Sequence, residues 1–146
     1  MGVSVNPLFK ELDQFYKESN ELYHSIALRA GISDSSFMVL YYLWELGDGC
    51  LQRDICSRCF LSKQTIHSAV CKLEKDEFLQ LRAGKGRDMH LSLTEKGNAF
   101  VRENIIPVAK AENEALAGLT MQEQKELVRL NQKYIKLLRS KTQHLI

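Results

Sequence analysis

The chain has 146 residues, 45% hydrophobic and 26% charged, with a formal net charge of +2, which fits one compact domain or a small domain with a helical extension. No apolar run approaches the roughly 18–20 residues of a membrane span, and MGVSVNPLFKELDQF becomes charged too early for a secretory signal. Asn6 stands where a myristoylation signal needs Ser or Thr, and a full hydrophobic quota argues against a small disulfide scaffold, so a cytoplasmic protein with no membrane contact is expected.

In chain order, Asn6-Pro7 opens a helix, Asn as cap and Pro in the first turn. Leu8, Leu12, Phe15, Tyr16, Leu22, Tyr23 and Ile26 carry it to about Ala30, and Gly31 stops it. Ser33 or Asp34 caps a second helix holding Phe37, Leu40, Tyr41, Leu43 and Trp44, which ends at Gly47. A very short strand at Cys50-Leu51 precedes a third helix, Gln52 to Phe60, that buries Ile55 and Cys56. Ser62 caps a fourth helix to about Asp76, with Ile66, Ala69, Val70 and Leu73 on one face.

Leu79 and Leu81, then Met89, Leu91 and Leu93, alternate with Gln80, Arg82, His90 and Ser92. That pattern predicts two half-buried strands around a glycine-bearing turn. Thr94 caps a fifth helix, kinked by Pro107. Thr120 and Glu123 form a capping box for a last helix, striped by Leu127, Leu130, Tyr134, Leu137 and Leu138.

This order predicts a mainly α (α+β) chain. A winged helix-turn-helix over 33–97 is framed by a helical dimerisation region formed from 1–32 and 98–146. The apolar stripes of the long terminal helices exceed what a domain of roughly 50 residues can cover, and two copies packing together would bury them.

A helix-turn-helix followed by a basic hairpin suits duplex DNA, one helix in the major groove and the hairpin beside it. Charge follows the same division. Residues 1–49 carry three basic and seven acidic side chains, residues 50–97 nine and six, and residues 98–146 eight and five. The middle and last segments are therefore the cationic ones, and the middle holds the reading device.

With the apolar stripe of the fourth helix turned inward, Gln64, Ser68, Cys71 and Lys75 lie opposite it, flanked by Thr65, His67 and Lys72. Gln reads adenine bidentately, and Ser, Thr and His reach bases or phosphates. Ser62 and Lys63 at the helix entrance, and Lys72, suit phosphates. Arg82, Lys85 and Arg87 make the hairpin basic, and an arginine at such a tip enters a narrow minor groove.

The chain resembles the MarR family of winged-helix regulators over nearly its whole length. Leu51-Gln-Arg-Asp-Ile-Cys56 is similar to the start of the family's third helix, and Ser62-Lys-Gln-Thr-Ile-His-Ser-Ala-Val-Cys-Lys-Leu-Glu74 to its recognition helix. Leu91-Ser-Leu-Thr-Glu-Lys-Gly97, with Arg87 seven residues before its threonine, is similar to the end of the wing. The resemblance implies a homodimeric transcription regulator, a repressor, on a pseudo-palindromic operator, often released by a small ligand or an oxidant. It departs at Lys85, where the family has Asp, with Asp88 following the arginine instead; at Ser68, where the family has a basic residue; and at Glu77, where it has Gly.

By that resemblance Cys50, Cys56 and Cys59 take apolar core positions, while Cys71 projects from the DNA-facing side, where oxidation would block docking. The family's peroxide sensors place their reactive cysteine near the N-terminus, and none occurs here before Cys50. A single Cys56-Ser-Arg-Cys59 pair lacks the partner pair of a zinc site, and the four histidines show no ligand spacing, so neither metal nor cofactor is expected. An aromatic effector, by the same resemblance, would bind near Tyr23, Phe37 and Tyr41, residues that equally suit a packed core. No catalytic constellation stands out, so an enzyme is not expected. The alternatives are a thiol-based redox regulator and a winged-helix protein-interaction module without DNA binding.

Overall fold

The structure, a computed structural model, describes residues 2–146. Short-range signals set most helix ends. Helix α1 (Pro7–Ala30) begins where the Asn6 side chain accepts the Leu8 amide, and ends at Gly31, left-handed at φ 82°. Ser33 caps α2 (Asp34–Leu46), whose last turn closes on Gly47. Helix α3 (Gln52–Cys59) has no side-chain cap, whereas α4 (Lys63–Lys75) is capped by Ser62 accepting the Thr65 amide. Strands β1 (Leu79–Ala83) and β2 (Met89–Leu93) pair antiparallel, Leu81 opposite Leu91 and Arg82 opposite His90. Thr94 caps α5 (Glu95–Phe100), a π-helical turn spans Val101–Ile105, and α6 (Ile106–Ala117) follows. The Thr120–Glu123 capping box starts α7 (Met121–Thr142), and a single 3₁₀ turn closes the chain.

The chain divides into two compact units, the first ending at Ile105 and the second being Ile106–Ile146. The first is built around α2, which buries Phe37, Val39, Leu40 and Leu43. Against them lie Ile55 and Cys59 of α3 and the stripe Ile66, Ala69, Val70 and Leu73 of α4, and the hairpin, with Leu79 and Leu91 buried, packs on those two helices, β1 on α4 and β2 on α3. Burying each large aliphatic side chain contributes about 1.5–3 kcal/mol, which is why the α4 stripe fixes that helix's rotation.

The hairpin is more than two strands. The Gly49 amide donates to the Leu91 carbonyl at 2.8 Å, and the Leu91 amide to the Cys50 carbonyl at 2.9 Å. Asp48 accepts the Leu93 amide, and Leu51 bridges His90 as the short strand expected there. At its base the Phe78 carbonyl packs so closely on Gly97 that a Cβ added there would sit 1.9 Å from the oxygen. Glycine at 97 is therefore required by contact, not by backbone angle.

Three details differ from the sequence pattern. Cys59 is the cysteine α3 buries, and Cys56 is half-buried with its thiol donating to the Leu61 carbonyl. The helix therefore ends one residue earlier than expected, and Phe60 becomes a left-handed cap at φ 53° that is 91% exposed. Cys50 is likewise half-buried instead of core. The third concerns Pro107, which cannot donate a backbone hydrogen bond and whose ring crowds the carbonyl four residues back. The chain absorbs it by widening the preceding turn to π geometry over Val101–Ile105, with Val101 and Ile105 both buried.

Much of α1 is exposed, including Leu8, Leu12, Phe15, Tyr16 and Leu22. In the second unit α7 buries no residue at all, and Leu127, Leu130, Tyr134, Leu137 and Leu138 are exposed. Among the described residues no helix is long and apolar enough to cross a membrane.

Candidate nucleic-acid interface

With Ile66, Ala69, Val70 and Leu73 buried, α4 turns Lys63, Gln64, Thr65, His67, Ser68, Cys71, Lys72 and Lys75 to its exposed side. The expected ridge is therefore accessible from Lys63 to Lys75. Ser62 is exposed but committed: its hydroxyl accepts the Thr65 amide at 3.1 Å and lies 2.8 Å from the Thr65 hydroxyl. Lys72 lies 3.3 Å from Asp76, one turn on. Such an exposed pair is worth about 0–1 kcal/mol, so the ammonium is readily released to another anion.

At the hairpin, Arg82, Lys85 and Arg87 are exposed, and among the described residues none of the three is in an ion pair. The tip closes on itself, with the Gly84 amide donating to the Asp88 carbonyl at 2.8 Å and Gly86 left-handed at φ 59°. The departure from the family pattern now has a structural account. Asp88 does not brace its neighbour Arg87; it pairs at 3.3 Å with Arg53 of α3. The acidic residue after the arginine ties the hairpin to the helix-turn-helix and leaves the Arg87 guanidinium without a carboxylate.

Two residues of α3 that the sequence pattern does not single out belong to this surface. Arg53 is one. The other is Gln52, whose side-chain amide is 3.4 Å from His67 Nδ1. The opposite ring nitrogen, Nε2, is 3.5 Å from Cys71 Sγ. The i, i+4 spacing of His67 and Cys71 is visible in the sequence; the partnership with Gln52, fifteen residues back, is not.

The four thiols are unequal. Burial, with a smaller push from Cys56 and against the opposing charge of Arg58, raises the Cys59 thiol from 9.0 to about 11. Burial, with Asp54 beside it, also raises Cys50. Cys71 alone among them is exposed. Among the described residues no group of three or more His, Cys, Asp or Glu side chains converges as a metal cage.

The proposed effector residues are dispersed in exposure. Phe37 is 4% exposed, a core residue of α2. Tyr41 is half-buried, edge-on to Tyr42 at 5.3 Å and to Trp44 at 5.9 Å, and Tyr23 is exposed. An open groove of about 580 Å³ beside β1, lined by Glu74, Glu77, Gln80, Glu95 and Lys96 among others, includes none of the three.

A helix-turn-helix whose exposed helix lies beside a basic β-hairpin defines a winged helix-turn-helix. Residues 30–87 match the model of the MarR family. Among solved structures the chain is similar to NMB1585, a MarR family regulator from Neisseria meningitidis, with a TM-score of 0.81 at 19% identity over 97% of this chain and 100% of that one. It is similar to MepR of S. aureus, solved as a DNA complex, with a TM-score of 0.69 at 18% identity over 94% and 99%. A third is the PcaV transcriptional regulator of Streptomyces coelicolor with its natural ligand, with a TM-score of 0.66 at 20% identity over 92% and 98%. No curated protein matches at the sequence level. The matched segment covers the helix-turn-helix and most of the hairpin, and with its terminal helices the chain adopts the winged-helix fold of these regulators.

Proposed function

We propose that the chain is a DNA-binding transcriptional regulator, a repressor, that grips a pseudo-palindromic operator as a cytoplasmic homodimer. The observation that carries this reading is the continuous exposed polar ridge of α4 beside an exposed cationic hairpin tip. Gln64, Ser68 and His67 face base edges; Lys63 and Lys72, with the α4 N-terminus, hold phosphates; Arg87 enters the minor groove with Lys85 and Arg82 behind it. The DNA complex of the structurally similar MepR supports this use of the fold.

Two half-sites require two copies, and the exposed apolar stripes of α1 and α7 are the surfaces we assign to pairing. The ligand complex of PcaV supports a ligand-binding role for this fold; we assign release here to a small aromatic molecule, for which Tyr23, exposed, and Tyr41, half-buried, are the candidates. Footprinting on the DNA upstream of the chain's own coding region, with affinity measured against salt, tests the proposal. A protected palindrome with affinity falling steeply as salt rises is expected. Absence of a footprint, or salt-independent and sequence-blind binding, favours a protein-interaction module instead.

A further inference from the structure

The exposed face of α4 carries two side chains whose contact with each other DNA reading does not use. His67 Nε2 and Cys71 Sγ lie 3.5 Å apart, one helical turn from each other. A tetrahedral zinc ion, with bonds of about 2.0–2.1 Å to nitrogen and about 2.3 Å to sulfur, spans two such ligand atoms by about 3.5 Å. Ligands at i and i+4 on one helix face form a recurrent chelating unit.

A second observation concerns the ring. Its other nitrogen, Nδ1, is occupied from outside the helix by the Gln52 amide at 3.4 Å. Turned so that its oxygen faces the ring, that amide accepts the Nδ1 proton and leaves the Nε2 lone pair directed at Cys71. An outer partner of this kind fixes the tautomer and orientation of metal-binding histidines. We propose that His67 and Cys71, oriented by Gln52, form an exchangeable two-residue site for a thiophilic d¹⁰ cation such as Zn²⁺ or Cd²⁺, and that a cation there competes with DNA for the α4 face.

On binding, the Cys71 S–H bond is replaced by a sulfur–metal bond and the proton passes to solvent. Water completes the tetrahedron, because no third His, Cys, Asp or Glu converges with the pair among the described residues. An ion with two protein ligands and two waters exchanges readily, unlike a closed structural site. Its hydrated bulk stands on the ridge formed by Gln64 and Ser68. Competition is reciprocal: DNA must weaken metal binding by the factor by which metal weakens DNA binding. The competition rests on the proposed operator-binding function; the metal site does not.

The test titrates the full chain with Cd²⁺ under a non-chelating reductant and reads the ultraviolet sulfur-to-cadmium absorption. One equivalent per chain is expected, lost in Cys71→Ser, with the tight phase absent in His67→Gln. Gln52→Ala should weaken binding about tenfold while leaving the ligands in place. All three positions lie at or near the surface, and circular dichroism checks that each variant folds. A band that survives Cys71→Ser, or an affinity unchanged in His67→Gln, overturns the site. For the competition, Zn²⁺ should release the footprinted duplex from the wild type but not from Cys71→Ser; equal release from both overturns it. A chain that binds no duplex under any condition sinks the regulator reading and the competition with it, while the cadmium band still decides the site.

Discussion

Helix α4 has 13 residues, and its four apolar positions are all buried; α7 has 22 residues, and its apolar stripe is entirely exposed. Both are amphipathic, so periodicity does not separate them. The difference is what each stripe meets: α4 lies on α2 and β1, while the stripe of α7 is left bare within the chain. An amphipathic stripe specifies that a partner surface exists without saying which chain supplies it. In the winged helix the partner is local, and the polar side of α4 is left as the working face. In α7 the apolar side is left over, and we assign it to the second copy.

Breaking the buried side should unfold the chain, and breaking the exposed side should only separate it. Leu40→Ala, at a fully buried position of α2, should cost about 2–5 kcal/mol in denaturant unfolding. Leu130→Glu with Leu137→Glu, both on exposed positions, should leave the winged helix folded by circular dichroism. The same pair should shift sedimentation from dimer to monomer at micromolar concentration; a dimer that persists removes α7 from the interface. Arg87→Ala should leave stability unchanged and weaken operator binding more than about tenfold, corresponding to one lost groove contact of roughly 1–3 kcal/mol. Unchanged affinity at physiological salt would contradict the role of the tip.

Smaller effects sharpen the account of the winged helix itself. Glu77 sits left-handed at φ 64°, where the family resemblance places glycine. Glu77→Gly should therefore raise stability by about 1 kcal/mol, read as a higher midpoint in urea. The Cys59 thiol, held protonated by burial, binds its proton more tightly folded than unfolded. Its contribution is thus fully present below pH 9.0 and lost as pH rises towards about 11. Over that alkaline window the Tm of the wild type should fall more steeply than that of Cys59→Ala. Parallel curves would show that Cys59 does not report the core.

The caps and the α4 stripe were legible in the sequence because their causes are local. Asn6, Ser33, Ser62, Thr94 and Thr120 each act within three residues, and Ile66, Ala69, Val70 and Leu73 need only the helical period. What escaped has distant or finely phased causes. In an eight-residue helix such as α3, a stripe is too short to say whether Cys56 or Cys59 is the buried cysteine. Pro107 signals a disturbance, but the π turn that absorbs it reflects the simultaneous burial of Val101 and Ile105. The candidate ridge and the basic tip were readable as residue types in order. Their ties to Gln52 and Arg53 were not, because they join α3 to segments far along the chain.

The threading of Gly49 and Cys50 onto Leu91 means the hairpin is not a loose finger. Its base is sewn into the same cooperative unit as α2 and α3, so the Gly49 and Leu91 amides should trade their protons for deuterium only on the timescale of global opening. The Gly86 and Arg87 amides, which have no backbone acceptor at the tip among the described residues, should trade theirs at once. The reach of this protein is thus confined to a few residues of slack at the end of a stiff mount.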